Sequence, residues 1–149
     1  MAALDRQHPR DLFDIQLLLN NEEINEKLRK ALLVYLISHN RPPHELLNPQ
    51  LKDIAQEYEV NFVGMTKEDV SLEVLLKARE NLIKSVIGGI TEERKEFLLS
   101  FFSGSPDWNK LGIDGIDNLP AVRWKLLNIN MIEERKKLQL VRDLESVLK

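Results

Sequence analysis

Residues 71–89 read SLEVLLKARENLIKSVIGG, and this stretch carries a complete helix signal. A serine opens it, a glutamate follows in the first turn, and a glycine pair stops it. Its apolar residues recur at spacings of three and four, so they share one face of a helix. They are Leu72, Leu75, Leu76, Ala78, Leu82, Ile83, Val86 and Ile87. The stretch therefore predicts a long amphipathic helix with one buried face.

Similar signals recur along the whole chain, whereas strand signals are weak. Pro9 and Pro120 stand where a first helical turn tolerates proline, and Pro42-Pro43 ends a helix. Asn130 and Glu133 have the spacing of a capping box, which predicts a helix start there. Predicted helices cover about 9–20, 22–39, 44–47, 51–59, 71–88, 91–102, 105–110, 120–128 and 130–148. Because no long polar linker divides them, we expect an all-α fold: a single compact helical domain of about seven to nine helices over residues 1–149.

Two apolar stretches and two tryptophans are predicted to lie in the core. The residues from Ala31 to Ile37 are apolar all round, and the helix from Ile24 onward carries a continuous apolar stripe. The first helix is charged only at its start, so its apolar remainder should enter the core and leave the charged end at a cleft. Trp108 and Trp124 are expected to pack between helices.

Composition excludes several classes of function. The net charge of −3 gives no general electrostatic reason to bind nucleic acid. The absence of cysteine excludes disulfides, thiolate zinc sites and cysteine nucleophiles, and it fits a reducing cytosol, so we expect a cytoplasmic protein. The longest apolar run, Ala31 to Ile37, is far shorter than the roughly 20 residues that span a membrane.

Charged residues cluster at the start of the first predicted helix. Arg10, Asp11 and Asp14 fall in one sector of the helix, with Arg6 just upstream. A purely structural role is available, because Asp11 suits the positive end of a helix and Arg10 can pair with Asp14 for about 0.3 kcal/mol. A role in a functional site is also compatible with these residue types, although in an arbitrary protein such a cluster is more often structural, so residue chemistry alone does not decide between the two roles.

Residues 2–14, AALDRQHPRDLFD, resemble the R-x-x-x-R-D-hydrophobic-hydrophobic-D motif of AbiEii-type proteins. The resemblance continues through most of the chain, in segments whose order also matches one bacterial branch of that family. These segments are residues 39–42 (HNRP), 45–49 (ELLNP), 104–108 (GSPDW) and 119–128 (LPAVRWKLLN).

The resemblance implies a nucleotidyltransferase of the polymerase-beta-like superfamily, the toxin half of a type IV toxin–antitoxin or phage-defence pair. Such proteins have an N-terminal α/β domain whose G-S-x(n)-D-x-D motif binds magnesium and a nucleoside triphosphate, and some members modify tRNA. It further implies that Asp11 is an acidic site residue with Arg10 beside it, and, from a looser match to the motif, that Arg6 and Asp14 belong to the same catalytic site.

The chain departs from the family pattern because it contains no D-x-D motif; Asp114 and Asp117 are three residues apart. We therefore expect the C-terminal helical part of such a toxin, which forms part of the nucleotide or RNA cleft and is inactive alone. Whether the chain is itself an enzyme stays open. The catalytic domain would dock on an apolar patch along the first two helices, and a homodimer could use the same face. The alternative is a stand-alone helical interaction module without a catalytic role, which binds an antitoxin-like partner.

Other candidate sites are weaker. His39 and His44 are separated by a proline pair and have no evident third ligand, so no metal site is predicted. A basic strip formed by Arg123, Lys125 and residues 135–137 could contact RNA, although Glu133 and Glu134 dilute its charge and charge runs are commonly solvated faces.

Overall fold

The computed structural model describes residues 2–21 and 25–149, which form nine α-helices and two 3-10 turns and contain no strand. The all-α prediction is confirmed. The helices are α1 (Ala2–Asp5), α2 (Pro9–Asn21), α3 (Glu26–Ser38), α4 (Pro43–Leu47), α5 (Ala55–Asn61), α6 (Leu72–Gly88), α7 (Glu92–Phe102), α8 (Pro120–Met131) and α9 (Glu134–Leu148). The 3-10 turns are Trp108–Lys110 and Ile116–Asn118.

Side-chain caps and proline in the first turn together set most helix starts. The side-chain oxygens of Asn25, Ser71 and Thr91 each accept a hydrogen bond from the backbone N–H three residues on, at 2.9, 3.4 and 3.4 Å. Pro9 and Pro120 are the first residues of α2 and α8, as the sequence predicts. The helix predicted from residues 71–89 is therefore present with the expected boundaries.

The core is built around α7, whose Phe97, Phe101 and Phe102 are fully buried. α2 packs along α6, α3 packs against α8, and α9 packs against α7 and α4. Buried side chains of α1–α4 and α6–α9 join in one hydrophobic cluster, with Ile54 and Phe62 at the two ends of α5. This continuity agrees with a single domain over the described residues. The single-domain organisation itself stays a prediction.

Two predicted helix starts are wrong. The second short helix begins at Ala55 rather than near residue 51, because residues 51–53 are exposed and Lys52 hydrogen-bonds to the N-terminal turn. Asn130 lies inside α8 and caps nothing. Val122 and Ile129 are buried seven residues apart, and this two-turn spacing extends α8 beyond Asn128.

The first two long helices are less buried than their sequences predict. Leu17 of α2 is 42% exposed, Ala31 of α3 is exposed, and Tyr35 is half-buried. The expectation that the apolar end of α2 enters the core is therefore wrong: α2 packs on α6 but does not close on α3, and an apolar cavity of about 320 Å³ lies between α2, α3 and α6. The predicted start of α3 at Glu22 and its apolar residue Ile24 lie outside the described residues.

Candidate functional site

The N-terminal charged residues lie where α1 turns into α2. Asp5 ends α1 and Pro9 begins α2, so Arg6 lies in a three-residue turn and Asp11 in the first turn of α2. Nη2 of Arg6 donates to Oδ1 of Asp11 at 3.0 Å, with the arginine side chain 67% exposed and the aspartate 19%. The start of α2 also favours a carboxylate, because the helix dipole makes this end of the helix partly positive. Two of the predicted site residues are thus brought together.

The second oxygen of this aspartate has no partner. Oδ2 of Asp11 is buried, and no donor among the described residues reaches it. A buried acceptor without a hydrogen bond costs about 1–3 kcal/mol, and such groups are rare in folded proteins. The carboxylate therefore has unused capacity for a donor or cation supplied from outside the described residues.

Arg10 and Asp14 are placed differently from the predicted ion pair. Nη2 of Arg10 lies 3.1 Å from the sulfur of Met65, and its backbone N–H donates to Nδ1 of His8 at 3.3 Å. Asp14 is exposed, and within residues 2–21 and 25–149 it forms no ion pair with Arg10. The Arg10–Asp14 pair that the helical spacing allows is not formed, because the Arg10 guanidinium turns toward the loop after α5, away from any carboxylate of the described residues.

The turn is held on its buried side by Gln7, a residue that the sequence did not single out. Gln7 is 2% exposed and adopts a left-handed backbone conformation with φ of 56°. Its Nε2 donates to the carbonyl of Gln50 at 2.8 Å, and its Oε1 accepts from the backbone N–H of Lys52 at 3.0 Å. A single glutamine between two motif residues gives no pattern from which this role could be predicted.

Arg79 of α6 completes this buried network. Its Nη1 donates to Oε1 of Gln7 at 3.0 Å and to the carbonyl of Lys52 at 2.8 Å, whereas its Nε is buried without a partner. Burial lowers the pKa of the Arg79 guanidinium. A guanidinium that is only 7% exposed and bonded to neutral oxygens is unusual, and it ties the motif turn to the longest helix.

A polar cleft of about 580 Å³ opens beside the same turn, between α1 and residues 49–53. Arg41 reaches it from the α3–α4 connection and forms an ion pair with Asp5, and the resulting hydrogen bond raises the pKa of Arg41. Nζ of Lys52 donates to the carbonyls of Asp5 and Arg6 at 3.4 and 3.3 Å. Three basic side chains, those of Arg6, Arg41 and Lys52, therefore surround this end of the molecule.

Comparison with known proteins decides the family. The family model described as "Nucleotidyl transferase AbiEii toxin, Type IV TA system" matches residues 1–128. The chain belongs to the AbiEii family. No curated protein and no solved structure gives a significant match.

As a member of the AbiEii family, the chain is a nucleotidyltransferase-type toxin. The family is described as part of type IV systems, in which a toxin is paired with an antitoxin. The matched region contains the whole segment from Arg6 to Asp14, which is the turn before α2 together with the first residues of α2. The roles of Arg6, Arg10, Asp11 and Asp14 stay predictions from the family motif.

No metal cage is present in the part of this AbiEii chain that the structure describes. No group of three or more histidine, aspartate or glutamate side chains there could hold an ion.

Among the helices of the described ranges, none has the length and apolar character that a membrane-spanning helix needs.

The basic strip predicted near the C-terminus is not continuous. Nζ of Lys125 points inward, 5.8 Å from the ring centroid of Phe102, and donates to the carbonyl of Asn40 at 3.3 Å. Burial lowers the pKa of Lys125, and Lys137 pairs with Glu134 at 3.3 Å. The candidate strip is therefore reduced to separate cations, which fits the solvated face that the sequence favours.

The two tryptophans differ from each other. Trp108 packs against Phe97 and Phe101 with ring centroids 5.6 and 6.0 Å apart, as predicted. Trp124 is 63% exposed on α8, so its predicted packing role is wrong. The inward face of α8 is already filled by Val122 and Ile129, and Trp124 lies on the opposite face.

Proposed function

We propose that this chain is the C-terminal helical portion of an AbiEii nucleotidyltransferase toxin and that the turn from Arg6 to Asp14 forms one wall of its nucleotide or RNA cleft. The metal-binding carboxylates of the reaction would come from a D-x-D motif that these 149 residues do not contain. On its own the chain would not catalyse nucleotide transfer. Its membership in the family is the starting point, and the geometry of the turn supports the role in the cleft.

The observation that carries the proposal is the buried, unpartnered Oδ2 of Asp11. A ribose hydroxyl, a base N–H or a metal-bound water would satisfy it and remove the cost of leaving it unbonded. Oδ1 is held by Arg6 at 3.0 Å, so the free oxygen has a defined direction. Buried polar atoms are normally hydrogen-bonded, so the free oxygen of this ion-paired carboxylate favours a ligand over a purely structural role.

The charges of the turn fit phosphate better than they fit a magnesium ion. Arg10 forms no ion pair among the described residues, so its guanidinium is free to contact a phosphate oxygen, which it can do with two parallel hydrogen bonds. Magnesium prefers several oxygen ligands, and the described residues hold no cluster of three. The residues of this chain therefore do not by themselves fit the metal, and we assign no catalytic step to it.

The cavity between α2, α3 and α6 supports docking of another segment on this chain. It is lined almost entirely by apolar side chains, among them Ile15, Leu18, Leu32 and Leu82, and an unfilled apolar cavity costs packing energy. Its location along the first two long helices agrees with the predicted docking patch. We propose that the catalytic domain inserts an apolar side chain there.

An antitoxin is the expected protein partner for a member of a type IV system. Contact with tRNA by a complete toxin, the magnesium and triphosphate requirement, and a cytoplasmic location remain part of the proposal. A homodimer through the face of the first two helices is a further possibility from the sequence, but a concave cavity does not complement its own copy well.

Titration with a magnesium–nucleoside triphosphate, followed by isothermal calorimetry, tests the proposal. We expect weak binding by this chain and at least about tenfold weaker binding for Arg10→Ala and for Asp11→Asn, which corresponds to about 1.4 kcal/mol. Asp114→Asn is the matched control, because Asp114 is an exposed aspartate in a distant loop.

The nucleotide sequence upstream of Met1 provides an independent readout. An in-frame G-S-x(n)-D-x-D motif there would support the proposal, and the longer product should bind the triphosphate more tightly than this chain. If neither product binds, the proposal is wrong, and the alternative of a stand-alone helical interaction module, with a purely structural Arg6–Asp11 pair, takes its place.

A further inference from the structure

The solvent-facing side of α8 is apolar along its centre. Trp124, Leu127 and Met131 are 63, 57 and 83% exposed, and Met131 is the most exposed large apolar residue of the described chain. Their spacing of three and four residues places them in one ridge along the helix. A ridge of this kind on a soluble helix marks a surface that another molecule covers.

The ridge is not a misplaced part of the core. The opposite face of α8 is already packed, because Val122 and Ile129 are buried and Leu126 is partly buried against the core cluster. α8 is thus apolar on two opposite faces, and only one of them is used within the described chain. This second face is separate from the cavity between α2, α3 and α6.

We propose that a second copy of this chain covers the ridge, with the two α8 helices packed antiparallel about a two-fold axis. Trp124 and Met131 are equally far from the midpoint between Leu127 and Asn128, so an antiparallel partner places each indole beside the other copy's thioether. Sulfur–aromatic contacts of this kind are favourable. Leu127 lies within about 1 Å of the axis along the helix, given a rise of about 1.5 Å per residue, so the two leucines meet at the centre.

The charges on and beside the ridge favour a second copy over a strongly acidic or basic partner. The only charge on the outward face of α8 is Arg123, and Glu133 follows the other end of the helix. Both are exposed, and neither forms an ion pair among the described residues. In the antiparallel arrangement, Arg123 of each copy approaches the end of α8 that precedes the other copy's Glu133. The two Arg123 side chains are about 13 Å apart along the axis, which exceeds the Debye length of about 8 Å.

RNA is a less suitable occupant of this face. A base could stack on Trp124, but Leu127 and Met131 provide no hydrogen-bonding group for a neighbouring base or phosphate. The basic residue next in sequence, Lys125, points into the protein toward Phe102. A single exposed arginine is a small electrostatic contribution for a polyanion.

The size of the ridge sets the expected strength of the dimer. Three side chains on one helix bury less than the roughly 1,200 Å² at the lower end of stable interfaces, so we expect a reversible dimer that forms at high micromolar concentration. Sedimentation equilibrium from about 1 µM to about 1 mM should therefore show a monomer–dimer equilibrium. Trp124→Ser and Leu127→Ser should weaken dimerisation at least about tenfold, whereas Val60→Ser, at a 72% exposed position on α5, should leave it unchanged.

The absence of native cysteine permits a direct geometric test. Leu127→Cys lies next to the proposed axis, so a short bismaleimide should link two copies of it much faster than two copies of Val60→Cys. Equal linking of the two variants would overturn the proposal, as would a monomer across the whole concentration range. A dimer insensitive to Trp124→Ser and Leu127→Ser would place the interface elsewhere and equally overturn it. A monomer whose Trp124 fluorescence is quenched by single-stranded RNA would overturn it in favour of an RNA surface.

Discussion

Gln7 shows how much one side chain contributes to the placement of the motif. Its φ of 56° is a conformation that glycine adopts freely and most residues avoid, and its buried amide joins the backbone at Gln50 and Lys52 to Arg79. The strained turn persists because these hydrogen bonds hold it. Since Arg6 is the preceding residue, its approach to Asp11 depends on this anchor.

Gln7→Ala should destabilise the fold by about 3 kcal/mol, because it removes one of the two acceptors of Arg79, leaves the backbone groups of Gln50 and Lys52 without their partner and keeps a Cβ at positive φ. Gln7→Gly loses the same hydrogen bonds but relieves the backbone, so it should be about 1 kcal/mol more stable than Gln7→Ala. Urea unfolding measures both. Equal stability of the two variants would show that the backbone is not strained.

At the scale of elements, the two neighbouring glycines at the end of α6 differ in the space available for a side chain. A Cβ added at Gly88 would meet no atom within 4 Å, whereas one at Gly89 would lie 2.9 Å from the carbonyl oxygen of Ser85 and 3.2 Å from the guanidinium of Arg29. Arg29 of α3 thus lies against the C-terminal end of α6, where a cation is favoured. The glycine pair that stops the helix in sequence also provides the space for this contact.

Gly88→Ala should stabilise the protein by about 0.5–1 kcal/mol, because alanine restricts the unfolded chain and favours the last helical turn. Gly89→Ala should destabilise it by about 1–3 kcal/mol, because the backbone oxygen of Ser85 cannot move away cheaply. Thermal unfolding of the two variants compares them directly. A stabilising Gly89→Ala would show that the Ser85 carbonyl moves away from the added Cβ without cost.

At the scale of the whole molecule, packing between distant helices is supplemented by charges. Glu26 at the start of α3 pairs with both terminal nitrogens of Arg94 in α7. The hydrogen bond and charge of Arg94 lower the pKa of Glu26. Arg94 also lines the cavity between α2, α3 and α6, so this ion pair joins α3 at the proposed docking face to α7.

Because the pKa of Glu26 is lowered in the folded state, its contribution is complete above the ordinary glutamate pKa and is lost as the pH falls through the lowered value. Glu26→Gln should therefore reduce the loss of stability between neutral and acidic pH. Unfolding free energies of the wild type and Glu26→Gln from pH 7 to pH 3 measure this. In an Arg94→Gln background the Glu26→Gln substitution should lose most of this effect, and an unchanged effect would assign it to another partner.

The continuous hydrophobic cluster predicts cooperative unfolding of the described helices. Helix content followed by circular dichroism and the fluorescence of Trp108, which packs on Phe97 and Phe101, should change at the same urea concentration. Trp124→Phe removes the signal of the exposed tryptophan and serves as the control background. Two separate transitions would contradict a single folding unit.

The all-α fold, most helix boundaries and the family motif were all predictable from the sequence alone. Proline at the first turn, side-chain caps such as Ser71 and Thr91, and apolar spacing along α6 are local signals whose physical effects act within one or two turns. The resemblance of residues 2–14 to the AbiEii motif required only residue order, and the family match confirms it. The start of α9 could not be predicted, because burial of Ile129 prolongs α8 past the apparent capping box at Asn130.

Only the tertiary structure decided which side chains meet. Arg6 rather than Arg10 pairs with a carboxylate, Gln7 joins Arg79 across 72 residues of sequence, and Trp124 faces solvent. These outcomes depend on how the helices pack against one another, and the same apolar or charged residue can satisfy several arrangements of comparable local energy. Helical periodicity determines which residues share a face, but only the packing of α2 on α6 and of α8 on α3 determines which face is covered.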